Sequence, residues 1–292
     1  MIEQCLAGFA GIDTRELHVG GHRPAMVLLH GFGQSAECWR LVLERIERLG
    51  HGAVAVDLPG FGYGSPVKRG RVLPQLDEFV SDVVVTYAAE EPIVLVGNSL
   101  GGLLSVRAAE SRRRLPIRGL LAIDAAGTGW TRMMRMAGAG NLTVAQWGLR
   151  IPMPSFVRHA VLTRAGRAAL YGDRALADPK MVAEFAEPAR TRDAFRAHCT
   201  LALRIMAEVN AVRPPSGVPC PTIVLHGSRD RLIPESAARL LHKHIPGSIF
   251  ESLPGVGHCP QLEAPGRVAE LAARLARTGR MADGDQPCFT PA

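Results

Sequence analysis

The sequence predicts an α/β protein built on a mostly parallel central sheet flanked by helices on both faces. Three observations carry that expectation. Short apolar runs alternate with amphipathic helical stretches, each run ends in a polar or glycine-rich turn, and one long helical stretch interrupts the alternation. A strand covered on both faces has no polar side to show, so it reads as an unbroken apolar run rather than as an alternation. Parallel neighbours need crossover connections, and the intervening helices supply them in the right-handed sense.

The elements follow in order. "AMVLLHG" (25–31) reads as a buried strand, and 35–49 as a helix with Trp39, Val42, Leu43, Ile46 and Leu49 on one face, Ser35 as its cap and Gly50 as its stop. "GAVAVDLPG" (52–60) is a second strand, and 75–89 is a helix carrying Leu76, Phe79, Val80, Val83, Val84 and Tyr87 on its inner face. "PIVLVGNS" (92–99) and "GLLAIDAAG" (119–127) are two further strands. From Thr128 to Arg213 no strand pattern appears, only helical periodicity, with Asp178-Pro179 as an N-cap followed by a first-turn proline. "RPPSGVPCP" then acts as a linker into the strand "TIVLHGSRD" (222–230), a weaker strand at 248–255 and a helix over 265–277 built on Val268, Leu271, Ala272 and Leu275. The expected organisation is a core in two parts, 1–127 and 214–279, a helical unit inserted at 128–213, and a disordered tail at 280–292.

Composition narrows the classes of function. The chain has 292 residues, 47% hydrophobic and 21% charged, which suits a globular domain with a sizeable core. No apolar stretch approaches the ~20 residues that cross a bilayer, and "MIEQCLAGFAGID" lacks a basic start followed by an apolar segment, so a cytoplasmic protein without stable membrane insertion is expected. Cys5, Cys38, Cys199, Cys220, Cys259 and Cys288 are dispersed with no Cys-x-x-Cys pair, which points to reduced thiols and to neither a zinc site nor a metal cofactor. The net charge of +7 is densest at Arg112-Arg113-Arg114 with Arg118 nearby, where no aromatic residue interleaves; a solvated helix end is expected, not a nucleic-acid site.

The chemistry concentrates at the strand ends, where ligands bind to an open parallel sheet. "VLVGNSLGG" (94–102) sets Ser99 between two glycines where an apolar run gives way to helix, a turn tight enough to strain its backbone. Asp124 ends the next strand, Asp230 follows "TIVLHGS", and His258 follows the last strand in "GVGHCPQLEAP". A serine hydroxyl needs a base within hydrogen-bond reach, which His258 can be, and a carboxylate on the far ring nitrogen fixes the tautomer. Asp230 or Asp124 can supply that carboxylate. Backbone amides of Leu100, at the helix N-terminus, and of Phe32, in "HGFG", are the candidate donors to a developing oxyanion. His30 and His226 read as strand-end hydrogen-bonding residues, Asp57 as the organiser of its own "DLPG" turn, and Asn98 and Cys259 as packed residues.

"VGNSLGG" resembles the nucleophile elbow of the α/β-hydrolase fold family, whose triad runs Ser, Asp or Glu, His. "LLHGFGQS" is similar to the family's oxyanion loop, "DLPGFGYGSP" to the turn after its next strand, "HGSRDRLIP" to its acid loop and "GVGHCPQLEAP" to its histidine loop. The resemblance spans about residues 25–275, and it implies a helical cap inserted after the sixth strand, where 128–213 falls. It also implies Asp230 as the acid. Relatives that open epoxides or displace halide use aspartate at the elbow, where this chain has Ser99, so the resemblance implies an acyl-enzyme and a carboxylic ester, thioester or lactone of a hydrophobic small molecule, with no cofactor. The C–C hydrolases of meta-cleavage products share the Gly-Asn-Ser elbow, but they show Gly-Pro-Gly in the oxyanion loop and tryptophan after the histidine, where this chain has "HGFGQS" and Cys259. A non-catalytic binding module on the same fold has no need of all three triad residues. The apolar side chains of the insertion, Trp130, Met134 and Trp147 among them, are expected to line the substrate pocket.

Overall fold

In the computed structural model, which describes residues 1–21, 23–131 and 154–278, the apolar runs assemble into an eight-stranded sheet. Its strands are β1 (Glu3–Phe9), β2 (Ile12–Val19), β3 (Met26–Leu29), β4 (Ala53–Val56), β5 (Ile93–Asn98), β6 (Ile117–Ile123), β7 (Thr222–Gly227) and β8 (Ile249–Leu253), in the order β1-β2-β4-β3-β5-β6-β7-β8. From β4 through β8 every pairing is parallel. The exception is the N-terminal hairpin, where β1 and β2 pair antiparallel and β2 joins β4 antiparallel.

That hairpin has no counterpart in the sequence reading, and its burial gives the reason. β1 lies at the sheet edge with most of its residues exposed, and "EQCLAGF" has no β-branched residue and is broken by Gly8, so it gives little strand signal. Its turn is Ala10-Gly11, both at positive φ, the geometry that matches the twist of a two-residue hairpin. Inside the sheet, successive residues point to opposite faces. Met26 and Leu28 join one core with helix α1 (Arg40–Arg48) and the C-terminal helix α8 (Pro265–Thr278), while Val27 and Leu29 join the other with α2 (Leu73–Tyr87), α3 (Leu100–Ala109) and α7 (Glu235–His244). On α1, Val42, Leu43 and Ile46 are fully buried, each worth about 1.5–3 kcal/mol of apolar burial. Ser35 accepts the Glu37 N–H at the start of this segment and Gly50 ends it at φ +79°.

β6 and β7 are hydrogen-bonded neighbours although nearly 100 residues of chain leave and return between them. The described part of that excursion is helical: α4 (Ser155–Leu170), α5 (Pro179–Ala186), capped by the Asp178 carboxylate, and α6 (Arg192–Val209). Polar ties hold these helices to the loops at the carboxyl ends of the strands. The Glu208 carboxylate accepts the Val72 and Leu73 N–H groups at the start of α2, at 2.6 and 3.0 Å, and Glu263 accepts Gly172 N–H at 2.9 Å and Gly257 N–H at 2.8 Å. Lys180 Nζ lies 3.3 Å from Glu37, which also pairs with Arg15 at 2.9 Å, and Arg15 in turn meets Asp57 at 3.0 Å. Asp57 therefore does more than order its own turn: it accepts the N–H groups of Tyr63 and Ala36 and anchors a buried arginine. The tail 280–292 lies outside the described residues.

Candidate active site

Ser99 is the single residue between the end of β5 and the start of α3, at φ +54° and ψ −111°. A non-glycine residue in that region stores about 1–3 kcal/mol of strain and persists only where its surroundings hold it. Here Ser99 N–H donates to the Ile123 carbonyl at 2.9 Å, and its own carbonyl accepts from Leu103 and Ala126. The two flanking glycines are what allow the turn. A Cβ at Gly97 would fall on the Gly101 carbonyl and Ser105 Oγ, and a Cβ at Gly101 would fall on the Leu29 carbonyl. Strand and helix are thus in backbone contact beneath the serine.

Three loops converge on it. In the loop after β8, His258 Nδ1 lies 2.7 Å from Asp230 Oδ2, and the second Asp230 oxygen accepts the Leu232 and Ile233 N–H groups at 2.7 and 3.0 Å. Asn98, next to Ser99, donates to the His258 carbonyl at 3.0 Å and accepts from Gln261 at 3.1 Å, which fastens the histidine loop to the elbow. A Cβ placed on Gly31 would lie 3.1 Å from Ser99 Cβ and 3.2 Å from Gln34 Oε1, so the loop carrying Phe32 lies against the serine. Leu100 is the first residue of α3, where the amide has no intrahelical acceptor.

The electrostatics separate the groups. Burial works to raise the Asp230 pKa, but the charge and hydrogen bond of His258 and the two N–H donors outweigh it, and Asp230 sits below the ordinary carboxylate range. Burial likewise works to lower His258, but Asp230 prevails and the imidazole pKa is raised. Asp124 behaves oppositely: burial first and the neighbouring Asp230 charge second push it well above the ordinary range. Of the two carboxylates that suited the role on sequence, Asp230 is the one hydrogen-bonded to His258, while Asp124 Oδ1 accepts Gly227 N–H at 3.0 Å. Ligand-type atoms of Asp124, Asp230 and His258 lie within 4.8 Å of one another, yet Nδ1 has no lone pair for a cation while its proton is bonded to Asp230.

The remaining residues take simpler parts. His30 Nε2 accepts the Leu58 N–H at 2.9 Å, and Cys259 is buried with Gln34 Nε2 3.0 Å from its sulfur. All five cysteines among the described residues are free; Cys288 lies outside them. Phe32 packs edge-on to Phe61 at 5.1 Å and against the His198 ring at 4.7 Å. Trp130 packs on the core and donates to Asn210 Oδ1 at 2.6 Å, while Met134 and Trp147 lie outside the described residues. Residues not singled out on sequence complete the surroundings. A narrow crevice of about 10 Å³ beside the Phe32 loop is walled by Gln34, Leu170, Met181, Glu184, Phe185 and Leu262. Burial lowers the pKa of His198, over Phe32, to about 4. Gln34 and Gln261 fall inside the motifs "HGFGQS" and "GVGHCPQLEAP", but an amide gives no sign in sequence of what it will bond.

A serine strained upward at a strand–helix junction, with a histidine–aspartate pair on later loops, defines the α/β-hydrolase class. The chain belongs to the alpha/beta hydrolase family, whose model matches residues 26–271. An esterase of Mycobacterium tuberculosis is 34% identical over 149 residues, 51% of this chain and 49% of that protein, so the chain spans about half the length of this curated relative. Among solved structures, a thermophilic esterase from Thermogutta terrifontis superposes with a TM-score of 0.73 at 20% identity, covering 95% of this chain and 99% of that one. A meta-cleavage product hydrolase from Pseudomonas fluorescens gives 0.74 at 19% identity, covering 94% and 97%. Both likenesses are of fold. Among the described residues no helix is long and apolar enough to cross a membrane.

Proposed function

We propose that the protein is a serine hydrolase that cleaves a carboxylic ester of a hydrophobic small molecule through an acyl-enzyme on Ser99. The observation that carries this reading is the buried 2.7 Å contact between His258 Nδ1 and Asp230, fastened through Asn98 to the strained serine. With Nδ1 engaged as donor, Nε2 is left as the basic nitrogen. As Ser99 Oγ bonds to the ester carbonyl carbon, Nε2 takes the hydroxyl proton, and the carbonyl oxygen gathers negative charge facing the Phe32 and Leu100 amides. Collapse breaks the carbon–alkoxy bond, with the proton passing from Nε2 to the departing alcohol. Water then repeats the sequence on the acyl-enzyme, releasing the acid and restoring Ser99.

Leu170, Met181 and Phe185 beside the Phe32 loop favour a hydrophobic acyl or alkyl group over acetate, and the inserted helices α4 to α6 act as a cap there. The match to an esterase over half the chain favours the ester reading. The test is a fluorophosphonate probe with peptide mapping, run beside a panel of esters of graded chain length. Label is expected on Ser99 and lost in His258→Ala, with turnover lost in Ser99→Ala. Labelling without turnover of any ester, together with cleavage of a vinylogous diketone, would move the reaction to C–C hydrolysis; no labelling and no turnover would leave a binding module.

A further inference from the structure

The catalytic pair has a third member that the proposed mechanism leaves unused. Asp124 follows β6 directly, fully buried, at φ +44°. Its N–H donates to the Leu225 carbonyl at 2.9 Å and its Oδ1 accepts Gly227 N–H, so the residue is clamped to β7 on two sides. Its Oδ2 is buried and has no donor. What faces it across the short span to the His258–Asp230 pair is another acceptor, the Asp230 carboxylate. Two buried carboxylates with oxygens within 4.8 Å of each other disfavour double ionisation, and a proton on one of them relieves the repulsion. Asp230 has His258 and two backbone N–H groups to hold its charge, whereas Asp124 has one N–H. The other titratable neighbour, His226 at the end of β7, has Nδ1 2.6 Å from Asp124 Oδ1 but off the line of a hydrogen bond. Burial lowers the His226 pKa, so it brings no cation; Glu235 and Arg239 are the charges that face His226 from α7.

We propose that Asp124 is a positioning residue that stands as a neutral carboxylic acid and donates its proton to Asp230, holding that carboxylate square to His258. The inference rests on the serine-hydrolase reading for its purpose, but its chemistry can be read without turnover. The proton stays within the pair: Asp124 Oδ2–H donates, an Asp230 oxygen accepts, and no bond to substrate forms. The backbone conformation suits the test, because asparagine tolerates positive φ and Asp124→Asn keeps an N–H donor in place of the O–H.

Infrared difference spectra of wild type and Asp124→Asn at neutral pH should contain a protonated-carboxyl C=O band that is present only in wild type. NMR titration of the His258 ring should give closely similar pKa values for the two proteins, since one neutral donor replaces another. In hydrolysis, Asp124→Ala should lower kcat/KM by about 10–100-fold, the range for loss of a supporting hydrogen bond, and Asp124→Asn should recover most of that loss. Absence of the carboxyl band overturns the proposal. So does a His258 pKa that falls by about one unit or more in Asp124→Asn, because that is the effect of deleting a nearby anion. If no ester is turned over while the band and the titration behave as expected, the hydrolase reading fails and the neutral Asp124 stands.

Discussion

Ser99, His258 and Asp230 each depart from what an isolated side chain would do, and the departures fit together. The serine occupies a backbone region that disfavours every residue but glycine, the histidine is more basic than free imidazole, and the aspartate is more acidic than a free carboxyl. The last two share a cause, the attraction of the partner's charge reinforced by the buried hydrogen bond between them, which together outweigh desolvation. The sign for catalysis follows. In the proposed mechanism only neutral His258 takes the Ser99 proton, and a raised pKa means that the ring becomes charged at higher pH than free imidazole does. kcat/KM should therefore fall with decreasing pH through an apparent pKa above 6.5, and Asp230→Asn should move that limb to lower pH. A limb well below 6.5 in the wild-type profile would separate the titrating group from His258. The same pair of carboxylates predicts a ranking. Asp230→Asn loses the partner of Nδ1 and should lower kcat by up to about 10⁴-fold, as for other triad carboxylates, whereas Asp124→Asn should cost far less. Steady-state kinetics of the two variants decide it, and the reverse order would make Asp124 the acid.

At the scale of the element, the elbow is a junction in which β5, α3 and β3 meet backbone to backbone. Gly101→Ala would drive a methyl group into the Leu29 carbonyl, and no flexible side chain is there to give way. Helix α3 has to move off the sheet, so a loss of about 1–3 kcal/mol or more in chemical denaturation is expected, with probe labelling of Ser99 lost alongside it. Unchanged stability in that variant would mean that the close approach is not required. The elements that build this junction were the most legible part of the sequence. β3 to β7 are buried on both faces, so burial alone made them continuous apolar runs with polar ends. The β1–β2 hairpin was not legible because its edge strand faces water, has no β-branched residue and carries Gly8. The His258–Asp230 contact and the strained Ser99 were legible because these residues fall at strand ends in a recognisable order. The contacts that fasten it were not. Asn98 to the His258 carbonyl spans 160 residues, and Gln261 to Asn98 spans 163, separations over which a single sequence carries no pairing signal. Arg15 reads as an ordinary surface residue until Asp57 and Glu37 are brought to it from two other loops.

Across the whole molecule, the sheet and the inserted helices divide the work. The loops at the strand ends hold every group the proposed chemistry needs, and helices α4 to α6 meet them through a few defined contacts. The most direct is Phe185 on α5. Its ring lies against Gly33 in the Phe32 loop and Gly166 on α4, so closely that a Cβ on either glycine would strike it, at 2.9 and 2.6 Å. Phe185 also walls the crevice beside the Phe32 loop, together with Leu170 and Met181 from the same inserted segment. Trp130, expected from the sequence to line the pocket, packs half-buried on the core and bonds Asn210, while Phe185 walls this crevice and is the more direct probe of it. If this crevice receives the hydrophobic part of the ester, then Phe185→Ala should lengthen the preferred acyl or alkyl chain in a graded ester panel. The cavity it opens should cost roughly 3–5 kcal/mol in stability if the site does not collapse, and less if α4 closes over it. Because Phe185 takes no part in the His258–Asp230 hydrogen bond or in the backbone bonds that hold Ser99, fluorophosphonate labelling of Ser99 should proceed at close to the wild-type rate. Leu170→Ala, from the opposite wall, should shift the preference in the same direction. A chain-length profile unmoved by both substitutions, in proteins that still label, would place the substrate elsewhere along the edge of the sheet, on the side where Trp130 meets α6.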